Sequence, residues 1–261
     1  MNTRNETKIN QLLQALPSGT VATSRWLESL GISRSHVTGY VRTGWLDRFG
    51  TGAVIRRGRQ VGWMGAVYSL QAQLSLSIHP GGKTALGLLG SLHYVPMGSV
   101  PVTLFHRNGE NIPRWFSQHQ WPEEIRSIGS DLFGKNDTFG LTDFPVEEFK
   151  LKISSHERAF LEYLHSLEDD SAGDEPIKIM ESLAWLRPET IQQLLETCGS
   201  IKVKRLFLVL AEHADHPWLK KLDLSKVDIG KGKRQFVRGG YLHPKFQITI
   251  PQSWRQQAAI V

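Results

Sequence analysis

Apolar positions between residues 20 and 59 fall first at helical and then at alternating spacing. Trp26, Leu27 and Leu30 make one stripe, and Val37, Tyr40 and Val41 a second, the mark of two short amphipathic helices. Ser24 and Ser33 stand where a hydroxyl can accept an orphan backbone amide at a helix start. Gly31 and Gly44 stand where a left-handed residue ends a helix. Beyond Gly44, residues 45–49 and 53–57 flank Gly50-Thr51-Gly52 and predict a hairpin. Upstream, Ile9, Leu12, Leu13 and Leu16 predict a helix over residues 4–16, stopped by Pro17-Ser18-Gly19. This order of elements predicts a winged helix-turn-helix.

The face of the second short helix opposite its apolar stripe carries Ser35, Thr38, Gly39 and Arg42, flanked by His36 and Thr43. Short or basic side chains with hydrogen-bonding ends suit the base edges of a major groove. Arg34 falls towards the packed side of the helical wheel but belongs to the same candidate set. Arg48, Arg56 and Arg57 on the hairpin are candidates for phosphate or minor-groove contact. A small structural helical domain with a charged hairpin would show the same pattern, so the charge distribution has to decide between them.

Charge decides for a polyanion. The net charge is +6, and residues 1–70 hold nine lysines and arginines against three acids, so the whole excess lies there. Eight of those nine bases are arginine, whose forked donors match phosphate and guanine.

Further along, helical patterns cover residues 63–76, 84–89, 155–164, 177–186, 188–198 and 201–213. Strand-like runs cover 100–105, 125–128, 139–141, 149–153, 226–229, 234–238 and 246–250. His79-Pro80-Gly81-Gly82 reads as a turn, residues 113–122 as an aromatic packing loop, and the acidic stretch 168–175 as a linker. The whole predicts an α+β protein: a winged helix over residues 1–78, then a mixed α/β domain over 79–261 that could divide near 168–176.

Cys198 is the single cysteine, which excludes a disulfide framework or cysteine zinc site and suits a reducing cytoplasm. The longest apolar run, Leu206 to Ala211, is far too short to span a bilayer. His79-Pro80-Gly81-Gly82-Lys83-Thr84 lacks the first glycine of a P-loop. His213 and His216, followed at once by Pro217, have no third ligand in view. No cofactor and no metal is expected.

Three blocks carry a resemblance. They are His79-Pro80-Gly81-Gly82-Lys83-Thr84-Ala85-Leu86, then Ser155-His156-Glu157-Arg158-Ala159, then a C-terminal series. That series contains Val203-Lys204-Arg205-Leu206-Phe207-Leu208, His216-Pro217-Trp218-Leu219, Lys226-Val227-Asp228-Ile229-Gly230-Lys231-Gly232-Lys233-Arg234 and Gly240-Tyr241-Leu242-His243-Pro244. Through them the chain resembles the AbiEi antitoxins of type IV toxin–antitoxin systems. The resemblance implies a non-catalytic protein whose winged helix represses its own operon at inverted repeats in double-stranded promoter DNA. It also implies that a mixed α/β antitoxin domain opposes a co-encoded nucleotidyltransferase-like toxin without a stable complex. Within that domain Lys202, Lys204, Arg205, Lys231, Lys233 and Arg234 are the candidate antitoxin surface. Cations at a helix start oppose its dipole, which suggests that the first three serve a partner. Two rivals stand beside this reading. One is a metal-dependent nuclease built on Glu148 and Lys150, with Asp131, Asp137 and Asp143 upstream. The other is a plain transcriptional regulator without antitoxin action.

Overall fold

A computed structural model describes residues 3–92, 100–134, 138–168 and 173–255, the first five as backbone only. Helix α1 covers Thr3–Ala15 and leads to strand β1 (Ala22–Thr23), α2 (Ser24–Ser29) and α3 (Arg34–Arg42). Strands β2 (Leu46–Gly50) and β3 (Ala53–Arg56) form the predicted hairpin. Then come α4 (Trp63–Leu74), β4 (His79–Pro80), α5 (Gly82–Leu88), β5 (Val102–His106), α6 (Arg114–Ser117), β6 (Ile125–Gly129), β7 (Leu141–Val146) and β8 (Phe149–Ser154). Four helices follow: α7 (His156–Ser166), α8 (Glu175–Ser182), α9 (Pro188–Thr197) and α10 (Ile201–His213). The described chain ends with β9 (Arg234–Gln235), β10 (Tyr241–Leu242), β11 (Ile248–Ile250) and short 3-10 turns. The α+β class is as expected.

Among the described residues four sheets result, ordered β1–β3–β2, β4–β5–β6, β7–β8 and β10–β11–β9. In the last, β10 runs antiparallel and β9 parallel to β11. Residues 226–229 are no strand, because Leu224–Lys226 winds into a 3-10 turn whose Asp223 side chain takes the Ser225 amide. His79–Pro80 is a strand rather than a turn. Asp137 and residues 169–172 of the acidic stretch lie outside the described residues.

The chain divides into two compact units that alternate along the sequence. The first comprises Met1–His79, Phe105–Gly129 and Asp143–Ile153, and the second Pro80–Leu104, Ser130–Thr142 and Ser154–Val261. The first crossing falls between His79 and Pro80, and two later segments return to the first unit. Residues 154–261 stay in one unit.

The core of the first unit is the winged helix itself. Ile9, Leu12 and Leu16 of α1 and its exit meet Ala22, Leu27, Ile32, Tyr40, Leu46 and Val54. Val37 and Val41 pack against that cluster from α3, as their spacing requires. Leu30 does not join it and is 43% exposed, because α2 ends after one and a half turns and Ile32 fills the place instead. The second unit is built round α7 and α10. Residues Val203 to Ala211 are buried without interruption, against Phe160, Leu161 and Leu164 of α7 and the strand β11.

Candidate nucleic-acid interface

Local capping sets the angle of α3. Ser33 is its N-cap, and the His36 side chain closes a reciprocal box. His36 Nδ1 accepts the Ser33 amide at 3.3 Å and lies 2.7 Å from the Ser33 hydroxyl. The ring also stacks on Tyr40 at 6.3 Å. His36 is therefore committed to holding the helix start rather than to a free outer face. For α2 the cap is Thr23, one residue before the expected Ser24, with its hydroxyl accepting the Trp26 amide at 3.3 Å. Gly31 (φ +71°) and Gly44 (φ +78°) take the left-handed turns that end the two helices.

What α3 leaves in water is Arg34, Ser35, Thr38, Arg42 and Thr43, all exposed. Arg34 does not face the packed side: its side chain is 90% exposed and pairs loosely with Glu28 at 3.7 Å. It opens the helix, where the packed stripe has not yet begun. The hydroxyls of Thr38 and Thr43 donate back to the carbonyls of Arg34 and Gly39, at 3.0 and 2.9 Å. Their lone pairs stay open to a donor on a base or to water.

The three hairpin arginines part company. Arg48 is exposed on β2. The Arg57 guanidinium is exposed and lies against Gly44, whose left-handed φ of +78° is what calls for glycine there. Arg56 turns inward, and its Nη2 donates to the carbonyls of Leu13 and Leu16. It caps the end of α1, where orphan carbonyls carry negative partial charge. Lys8 does the same for the α2 exit, donating to the Gly31 carbonyl at 3.1 Å. Exposed bases that the pattern reading passed over are Arg25 and Arg59. Trp45, 49% exposed at the root of the hairpin, was passed over too; its place in an alternating run hid it.

The wing is buttressed. Phe49 stacks on His119 at 4.5 Å and meets Trp115 and Trp121 at about 6 Å. A Cβ on Gly50 would stand 2.8 Å from the Trp115 Cβ. Beside the turn an open cavity of about 530 Å³ is lined by Thr51, Arg114, Gln118 and His119 among others. The stretch 113–122, expected as a packing loop, contains the short helix α6 and does pack, with Trp115 and Phe116 buried.

The candidate antitoxin cations divide in the same way. Lys231, Lys233 and Arg234 are exposed. Lys202 is half-buried, with Nζ 5.7 Å from the Phe236 ring centre. Lys204 and Arg205 are buried, at 3% and 2% exposure, and are not surface residues. The Arg205 guanidinium donates to the carbonyls of Ile229, Gly230, Gly232 and Gln247 at 2.7–3.1 Å. Its partner is the chain's own backbone.

Other charged groups are committed as well. Glu148 accepts the Ser18 amide at 2.7 Å, and Asp143 pairs with Lys152 at 2.7 Å. No group of three or more His, Cys, Asp or Glu converges as for a metal among the described residues. His216 donates from Nε2 to the Met180 carbonyl at 2.6 Å. In the second unit Glu162 accepts from Arg158 at 2.7 Å, from Ser154 at 2.7 Å and from the Gly82 amide at 3.3 Å. Glu157 accepts the Ser155 hydroxyl at 2.7 Å and the Arg187 guanidinium at 2.9–3.0 Å. Burial alone would raise the Glu157 pKa, but these bonds outweigh it and hold the carboxyl at about 2. Ser155, Glu157 and Arg158 of the 155–159 block thus serve two sets of polar contacts, one at Glu157 and one at Glu162, and the Gly82 amide joins the second.

The architecture is that of a winged-helix transcriptional regulator with a larger second unit. Family models agree. Residues 99–251 match "Transcriptional regulator, AbiEi antitoxin, Type IV TA system", and residues 5–97 match the "AbiEi antitoxin N-terminal domain". The chain belongs to the AbiEi family of type IV antitoxin regulators. Among solved structures, the RV2827C protein from Mycobacterium tuberculosis is similar over 95% of this chain and 91% of its own. The TM-score is 0.57 at 16% identity, which shows a shared fold. No curated protein matches. No helix among the described residues is long and apolar enough to cross a membrane.

Proposed function

We propose that this AbiEi protein binds inverted repeats in its own promoter through α3 and the wing, represses that operon, and neutralises a co-encoded nucleotidyltransferase-like toxin through the second unit. The observation that carries the DNA reading is the exposed face of α3. Arg34, Ser35, Thr38, Arg42 and Thr43 stand in water on a helix whose opposite side is fixed in the core. Such a helix can enter a major groove while Arg48 and Arg57 on the wing reach the flanking phosphates. Arg56 and His36 support the domain and do not contact DNA. The chemistry is binding rather than turnover: Glu148 serves Ser18, and Lys150 is exposed on β8.

The test is a titration of the full chain against its promoter fragment. Arg42→Ala should weaken specific binding by roughly 1–3 kcal/mol if it reads a base. Unchanged operator affinity would remove α3 from the interface. Antitoxin action is tested separately, by rescue of cells expressing the neighbouring toxin at matched protein levels. A fragment starting at residue 80 is a poor tool for this, because residues 105–129 and 143–153 belong to the first unit. Full-length Arg42→Ala should instead protect and fail to repress.

A further inference from the structure

The loop Gly230-Lys231-Gly232-Lys233-Arg234 is held from beneath by Arg205, whose guanidinium takes the Gly230 carbonyl at 3.1 Å and the Gly232 carbonyl at 2.7 Å. In a trans peptide the N–H points opposite to its C=O. Carbonyls turned inward at 230 and 232 therefore turn the amides of Lys231 and Lys233 outward. Left-handed glycines at 230 (φ +65°) and 232 (φ +71°) permit this alternation. Among the described residues neither outward amide has a partner within the chain. Two amides turned to the same side two residues apart, on a loop backed by a buried guanidinium, can donate together to one anion.

Charge reinforces it. Lys231, Lys233 and Arg234 are exposed on the same loop, and Arg234 folds back over it, its Nη1 donating to the carbonyls of Lys231 and Lys233 at 3.4 and 3.1 Å. None of the three, nor Arg205, has a carboxylate partner among the described residues. Asp228, the acid next to the loop, is engaged by the Gly230 amide at 2.8 Å. Arg205 is compensated by carbonyl dipoles alone, so its full positive charge remains under the loop. Burial pushes its pKa down, and the nearby Arg234 charge lowers it further.

We infer that this loop binds a phosphate group, with the amides of Lys231 and Lys233 and the side chains of Lys231, Lys233 and Arg234 as ligands and Arg205 as the positioning residue. The inference deepens the antitoxin reading by naming a phosphate ester as what this surface holds. It rests on that reading only for its biological role.

The experiment is an amide-resolved NMR titration of the 15N-labelled full chain with inorganic phosphate, then ATP, then a short RNA. Saturable shifts centred on the amides of Lys231 and Lys233 are expected with phosphate. Tighter binding of RNA than of ATP would assign the phosphate to a polynucleotide backbone, and the reverse order to a nucleotide; either supports the site. Gly232→Ala keeps every charge but strains the left-handed turn, and should weaken binding about tenfold, as expected for loss of charge-assisted bonds. The exposed double variant Lys231→Ala/Lys233→Ala should weaken it as well and does not threaten the fold. The site is overturned if no probe shifts those amides, or if the double variant titrates like wild type. No toxin enters the titration, so a failure here is distinct from a failure to protect cells.

Discussion

The starts of α3 and α10 look alike in sequence and end in opposite environments. Each follows a serine cap, Ser33 or Ser200, and each carries cations, Arg34 and Arg42 on α3 and Lys202, Lys204 and Arg205 on α10. On α3 those cations stand in water, Arg34 with 90% of its side chain exposed. On α10 Lys204 and Arg205 are buried. The reason is the breadth of the apolar face. Helix α3 has one narrow stripe, so most of its circumference is free. Helix α10 is apolar nearly all round, as a helix in the middle of a core must be. A cation there has to find carbonyls or carboxylates, because an unpaired buried charge is too costly. Basic residues in sequence therefore do not by themselves mark a binding surface; the hydrophobicity of the helix that carries them does.

The sharpest way to break this contrast is to remove one arginine from each helix. Arg205→Ala should destabilise the protein by about 3 kcal/mol or more, since several buried carbonyls lose a charged donor. Arg42→Ala should change stability by less than about 0.5 kcal/mol. Equal urea midpoints for the two variants would overturn the contrast.

Acid should act on the second unit first. Glu157 titrates at about 2 when folded and near 4.5 when unfolded, so its contribution is complete above the unfolded value. It is lost as pH falls from about 4.5 towards 2. Because Arg187 is 63% exposed and water screens the pair, the loss should be about 1–3 kcal/mol rather than the full linkage value. Arg187→Ala should flatten the stability profile in that window. A profile as steep as wild type would show that Arg187 does not hold the carboxylate down.

Within the wing, Arg56→Ala should lower stability by about 1–2 kcal/mol by uncapping α1 and leave the salt dependence of DNA binding unchanged. Arg57→Ala should reduce the slope of log affinity against log salt by about 1 and barely alter melting. Exchanged phenotypes would reverse the two assignments. The smallest effect belongs to the exposed Arg34–Glu28 pair. Arg34→Ala should shift stability by at most about 0.5 kcal/mol, and a larger change in thermal melting would show that the arginine is packed after all.

Much of the winged helix was legible because its signals are local. Stripe spacing, a serine cap, glycines that can turn left-handed and a glycine-bounded hairpin all act within a few residues. They placed α1, α3, β2 and β3 within a residue or two, and the charge count placed the polyanion reading on the same segment. The helices of the second unit were legible for the same reason, α10 to the residue. What remained hidden depends on partners distant in sequence. Arg56 and Arg57 are neighbours on one strand, yet only the approach of the α1 end sends one inward. Arg205 reads as a surface cation until the loop at 229–232 and the carbonyl of Gln247 close round it. The two late segments that return to the first unit carry no local mark either. The sequence by itself determined which stretches are helix, turn or hairpin and where the charge lies. Tertiary structure alone decided which cations face water, because burial is set by contacts that no local spacing encodes.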